Sequence, residues 1–148
     1  MIRAVLDVLV LVGSGVTAGV LFAVALSVLP ALTEMPVDRY VYTHQLIGKH
    51  WDPVMPLIVV GSTGAAIVLA LLGPVRWLHG AGAVLLLGVS VVSHFCNVPL
   101  NRDVQRADPD RIPPGWRDPR PVWRRWHLLR TVLAVAASAV NAAAALAS

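Results

Sequence analysis

Ser90, His94, Asn97 and Asn101 stand at i, i+4, i+7 and i+11, the spacing of one helix face, and Ser93 sits beside that face. A second polar stripe runs through His127, Arg130, Thr131, Ala134, Ser138 and Asn141, and His44, His50 and Asp52 lie in a polar segment upstream. Four imidazoles and a carboxylate suit two chemistries. They could bind a transition metal such as zinc, copper or non-haem iron, although no tight H-x-x-x-H or H-E-x-x-H spacing is present. Two facing histidines could ligate haem, but His94 and His127 both fall near helix ends. Without metal, an imidazole titrating at about 6.5 and an aspartate suit proton abstraction from an acidic carbon or a phenol. Arg130 and the amides of Asn97 and Asn101 could then hold the oxyanion. The serines have no visible acid–base partner pattern, so acyl transfer has little support.

The elements that must position these groups are membrane spans. Of 148 residues, 57% are hydrophobic and 14% charged, and mean hydropathy is +0.70. A soluble domain carries about 25% charged residues. The length predicts one domain, residues 1–148. The pI near 10.2 would suggest nucleic acid in a soluble protein; here the arginines flank apolar runs, so lipid headgroups explain them and no nucleic-acid partner is expected. Cys96 is the sole cysteine. It has no intrachain disulfide partner, which argues against thiol–disulfide chemistry.

Apolar runs predict spans over residues 4–32, 54–72, 77–98 and 126–147, an all-α antiparallel four-helix transmembrane bundle. The first run exceeds a signal-peptide core of about 7–15 residues. A short interfacial helix is expected within 36–50, ended or restarted at Asp52-Pro53. Trp77, Trp116, Trp123 and Trp126 read as interfacial aromatic residues. Asp7 and His79 read as headgroup-level residues, and the end of the bundle that holds them shows no set comparable to the histidine-rich one. If the helix continues through Pro99, the ring should kink it and free the Phe95 carbonyl.

Four spans put segments 33–53 and 99–125 on one side of the membrane. They carry two and seven Lys/Arg, against only Arg3 and Arg76 on the other side. The positive-inside rule then predicts a multi-pass protein of the cell membrane with both segments cytoplasmic. His44, His50, Asp52, His94, Asn97, Asn101, His127 and Arg130 thus share one membrane face and can converge.

Several stretches together carry a family resemblance. They are Gly19-Val-Leu-Phe-Ala with Val28-Leu-Pro30, His50-Trp-Asp-Pro-Val-Met-Pro56, Asn97-Val-Pro-Leu-Asn101, and Trp116 with Arg124-Arg-Trp126-His-Leu-Leu-Arg130-Thr131. The sequence resembles the anthrone oxygenase family of small four-span membrane proteins. The resemblance implies oxidation of a reduced polycyclic aromatic polyketide to a quinone, at a methylene flanked by aromatic rings. Such a substrate is planar, apolar and weakly acidic. A base, an oxyanion clamp and an apolar slot suffice for it without an organic cofactor, and a bound transition metal is compatible. The expected catalytic set is His50, Asp52, Asn97, Asn101, His127 and Arg130, with His44, Trp51, His94 and Trp126 as substrate-binding residues. The expected partners are the lipid bilayer and a lipophilic small molecule. Two other function classes remain open. A non-catalytic protein holding a hydrophobic metabolite or a membrane partner fits the Gly/Ala-rich spans, which also suit a homo-oligomer. An ion pathway is disfavoured, because no acidic residue or lysine lies midway along a span.

Overall fold

The structure, a computed structural model, describes residues 1–148, with the side chains of His50 and Asp52 outside the described set. The chain is all-helical, and four of its helical stretches are long and apolar enough to cross a membrane: Ile2–Glu34, Pro53–Leu72, Arg76–Arg106 and Arg120–Leu146.

The first stretch is α1 (Ile2–Ala23), a π-helical turn (Val24–Val28) and α2 (Leu29–Glu34). The third is built alike, from α4 (Arg76–Val92), a π-helical turn (Ser93–Asn97) and α5 (Val98–Arg106). In both, a proline stands two residues after the π-turn, at Pro30 and Pro99. A proline inside a helix has no N–H to give and its ring strikes the carbonyl four residues back. Widening the preceding turn moves that carbonyl aside. Leu29 N–H bonds to the Val24 carbonyl and Val98 N–H to the Ser93 carbonyl, five residues back in each case. The helix therefore passes Pro99 through a π-turn.

The second span belongs to α3 (Val37–Leu72), one helix of 36 residues. Residues 37–52 are helical, as the sequence suggests, but they run without a break into the span instead of forming a separate interfacial helix. Pro53 and Pro56 lie inside α3. Both are exposed, so the backbone groups they leave unbonded face outward together. At 1.5 Å per residue α3 is about 54 Å long, against about 30 Å of hydrocarbon, so much of it stands beyond the apolar layer.

α6 (Arg120–Leu146) completes the bundle. α1 packs against α3 and α6, and α4 packs against the same two, so α1 and α4 are diagonal neighbours. Three clusters stack along the axis: Val10, Ala66, Leu69 and Ala83 at one end, Leu21, Val59, Val89 and Ala134 midway, and Leu32, Tyr40, Val41 and Val104 at the other. Small residues bring the helices together; a Cβ at Gly13 would strike the Ser62 hydroxyl, and one at Gly82 the Asn141 carboxamide. Large apolar side chains such as Leu57, Val84 and Phe95 cover the outside, as a lipid-facing surface requires.

The polar end is tied by side chains. Arg120 Nη1 donates to the carbonyls of Leu32 (3.0 Å) and Met35 (2.6 Å), its Nε donates to Asp118 (2.8 Å), and its guanidinium lies 4.9 Å over the Tyr40 ring. Gln45 Nε2 donates to the carbonyls of Val104 (3.0 Å) and Ala107 (2.8 Å), closing the end of α5. Between α5 and α6, Gly115 has φ +85° in a turn that Trp116 N–H closes on the Pro113 carbonyl. Positive φ at that third turn position is the reason for glycine there. At the opposite end, Asp7 and His79 depart from the headgroup expectation. His79 is 1% exposed, because positions 79, 82, 83 and 86 share the buried face of α4.

Candidate functional site

α6 presents Trp123, His127 and Thr131 one turn apart on its buried face, with Arg130 at its edge. The Trp123 and His127 rings stack at 5.0 Å and 18°. Arg130 Nε and Nη2 lie 3.2 Å and 2.9 Å from His127 Nδ1. A guanidinium can only donate, so Nδ1 must be the acceptor. The proton then sits on Nε2, which donates to the Leu21 carbonyl at 3.0 Å. Leu21 stands just before the first π-turn, where the backbone hydrogen-bond register changes, and its carbonyl also receives the Thr131 hydroxyl at 3.4 Å.

The second π-turn supplies the opposing wall. Arg130 Nη1 donates to Ser93 Oγ at 3.3 Å. Asn97, fully buried, donates to the Trp123 carbonyl at 3.4 Å, and Asn101 Oδ1 accepts from Trp123 Nε1 at 2.9 Å. His44 of α3 lies edge-on to Trp123 at 5.9 Å and to Tyr40 at 5.6 Å. Burial lowers the His44 pKa, against a hydrogen bond with Asn101 that raises it. Burial, helped by the Asp118 carboxylate and opposed by Arg120, pushes the Tyr40 hydroxyl well above its ordinary range. Three buried atoms here lack a hydrogen-bond partner among the described residues: His44 Nδ1, Tyr40 OH and Asn97 Oδ1.

This combination sits within a recognisable sequence pattern. The family model for anthrone oxygenase matches residues 45–140, well over half of the chain and inclusive of Ser93, Asn97, Asn101, Trp123, His127 and Arg130. The chain belongs to the anthrone oxygenase family. The matched region begins after the first span, so Gly19 to Pro30 and His44 lie outside it. No curated protein and no solved structure matches the chain.

Of the residues the sequence singles out, the fold brings His44, Asn97, Asn101, His127 and Arg130 into one cluster around Trp123. It places others elsewhere. His94 is exposed and edge-on to Phe95 at 5.0 Å. A stripe counted at 3.6 residues per turn puts it inside, but the π-turn takes up one extra residue, a rotation of about 100°, which turns Ser93 inward in its place. Trp51 and Trp126 are 40% and 37% exposed on the outer surface. The side chains of His50 and Asp52 lie outside the described residues. Among the described residues no group of three or more His, Cys, Asp or Glu is assembled for a metal. An open groove of about 610 Å³ at the α2–α3 elbow, lined by Glu34, Arg39 and Tyr42 among others, includes none of the cluster's residues.

His127 carries the most instructive change. As the residue beside Arg130 it reads from sequence as a general base, yet both its nitrogens are engaged. Here it positions the guanidinium. Sequence reasoning missed Trp123 as the centre of the cluster, although its place four residues before His127 puts it on the same helix face. The Leu21 carbonyl gives no side-chain signal at all.

Proposed function

We propose that this chain is a membrane-embedded oxygenase acting on a lipophilic, anthrone-type polycyclic aromatic. The reaction converts a methylene flanked by aromatic rings and O₂ into a carbonyl and water. The observation that carries the proposal is Arg130, whose guanidinium is held by His127 Nδ1 on one side and Ser93 Oγ on the other while the side chain stays half-exposed. A cation so fixed is suited to an oxygen that gains charge when the methylene loses its proton. His44 is the proton acceptor in this proposal: burial favours its neutral form and its Nδ1 is unengaged. In an anthrone the carbonyl and the methylene lie across one ring, so acceptor and oxyanion donor belong on opposite sides of the substrate. Trp123 touches the rings of both His44 and His127, the residue that holds Arg130. The bilayer supplies the apolar substrate. In the same proposal the arginine-rich end is cytoplasmic, so Asp110→Cys in a Cys96→Ser background should label only from that side and Arg76→Cys only from the other.

The test is oxidation of a panel of anthrones by the protein in proteoliposomes under oxygen. At least one should give its quinone faster than empty vesicles do, and Arg130→Ala should lower turnover by about 10²-fold or more, with a smaller effect on KM. No oxidation above the vesicle rate by any anthrone, or wild-type turnover in folded Arg130→Ala, would refute the proposal. A second function, a non-catalytic protein holding a hydrophobic metabolite, gives saturable binding without turnover in the same assay.

A further inference from the structure

The end of the bundle remote from Arg130 holds a second polar set, on residues that the proposed reaction does not use. Asp7 of α1 and His79 of α4 come from diagonally opposed helices, so their side chains meet across the bundle. Asp7 Oδ1 lies 3.7 Å from His79 Nε2, with the side chains 19% and 2% exposed. Both atoms are buried and neither has a hydrogen-bond partner among the described residues. The separation is too long for a hydrogen bond, although a protonated His79 would form an ion pair across it. It is the right length for two donors on one ion: donor atoms at about 2.0–2.2 Å from a metal stand about 3–4 Å apart.

The surroundings hold the pair where it is. Val10, Ala66, Leu69 and Ala83 pack this end of the core, and a Cβ at Gly73 would stand 3.7 Å from the His79 ring. A further buried oxygen packs against the next turn of α4. Gly82, less than one helical turn after His79, faces Asn141 so closely that a Cβ would strike its carboxamide. Asn141 is 1% exposed, and both polar atoms of its side chain lack partners. Unpartnered polar groups in an apolar core are expensive, so three side chains in this state at one end of one bundle point to something that satisfies them.

We propose that Asp7 and His79 bind a divalent first-row metal ion, of the zinc or copper class, at this end of the bundle. A carboxylate oxygen and an imidazole nitrogen are the donor set such ions favour. Asp7 is the more exposed of the two and leaves the way in, and water completes the coordination. The set has two charged or imidazole donors only, so binding is reversible and exchangeable. This site is separate from Arg130 and does not rest on the oxygenase proposal.

The full chain, freed of any histidine tag and reconstituted in nanodiscs, is titrated with Zn²⁺ by calorimetry and with Co²⁺ by its visible ligand-field spectrum. The expected result is one ion per chain, with affinity falling about tenfold or more in both Asp7→Asn and His79→Gln, and unchanged in His94→Gln at the exposed histidine. Should His79→Gln fail to fold, Asp7→Asn decides, since Asp7 is the more exposed partner. No saturable binding by the wild type, or binding that both variants leave intact, would overturn the site.

Discussion

The two ends of the bundle bury similar side chains but hold them differently. At the arginine-rich end, Trp123, His127, Thr131 and Asn101 each reach a partner and the partners interlock through the Leu21 carbonyl, His127, Arg130 and Ser93, while His44 Nδ1, Tyr40 OH and Asn97 Oδ1 beside them have none. At the other end, Asp7 Oδ1, both ring nitrogens of His79 and both polar atoms of the Asn141 carboxamide are buried without hydrogen bonds. Interlocked groups fix a cation in one place before any substrate arrives, which suits chemistry on a developing charge. Groups left without partners suit the capture of something small.

The largest effect that could break this contrast is expected at His127. His127→Ala removes both the acceptor for Arg130 and the donor to Leu21, and turnover should fall by about 10²-fold, close to the loss in Arg130→Ala because both act through one guanidinium. His127→Asn keeps a carboxamide that can accept and donate, and should retain more turnover than His127→Ala. Equal losses in the two variants would return His127 to the role of proton acceptor.

A smaller effect compares the two buried asparagines directly. Asn97→Ala should destabilise the protein by about 1–3 kcal/mol, since it leaves the Trp123 carbonyl without its side-chain donor in an apolar core. Asn141→Ala removes two unpartnered atoms without orphaning a partner and should cost less than Asn97→Ala. Thermal unfolding in one detergent measures both; equal destabilisation would show that the two ends are not in different states.

The smallest effect concerns pH. Burial lowers the His44 pKa below its unfolded value, so the unfolded chain binds the proton more readily. His44 thus contributes stability above about pH 6.5 that is lost as pH falls toward its folded pKa. His44→Gln should flatten the acid limb of the stability profile. An unchanged limb would remove His44 as a group kept neutral by burial, and with it the proposed proton acceptor.

Four spans, and the gathering of His44, Asn97, Asn101, His127 and Arg130 at one end of the bundle, were legible in the sequence because apolar runs and their number are read residue by residue. The two π-turns were not, since a stripe counted at 3.6 residues per turn has no place for an extra one. That is why His94 reads as inward and Ser93 as peripheral. The signal for both turns was nonetheless present in Pro30 and Pro99, each inside a run that has to continue as helix. His79 was misjudged for another reason: its closeness to the Gly73–Arg76 turn suggested the surface, whereas its helix phase with Gly82, Ala83 and Leu86 gives its burial. The continuity of α3 through Pro53 and Pro56 depends on both prolines facing outward, which the residue types alone do not show.

A neutral His127 that accepts from Arg130 and donates to a backbone carbonyl is what fixes the guanidinium in place. Nitrogen NMR of the protein with ¹⁵N-labelled histidine, assigned through His127→Asn, reads that state directly at neutral pH. The expected spectrum has a protonated Nε2 and an unprotonated Nδ1 whose resonance shifts when Arg130 is replaced by alanine. A proton on His127 Nδ1, or a resonance indifferent to Arg130→Ala, would contradict it.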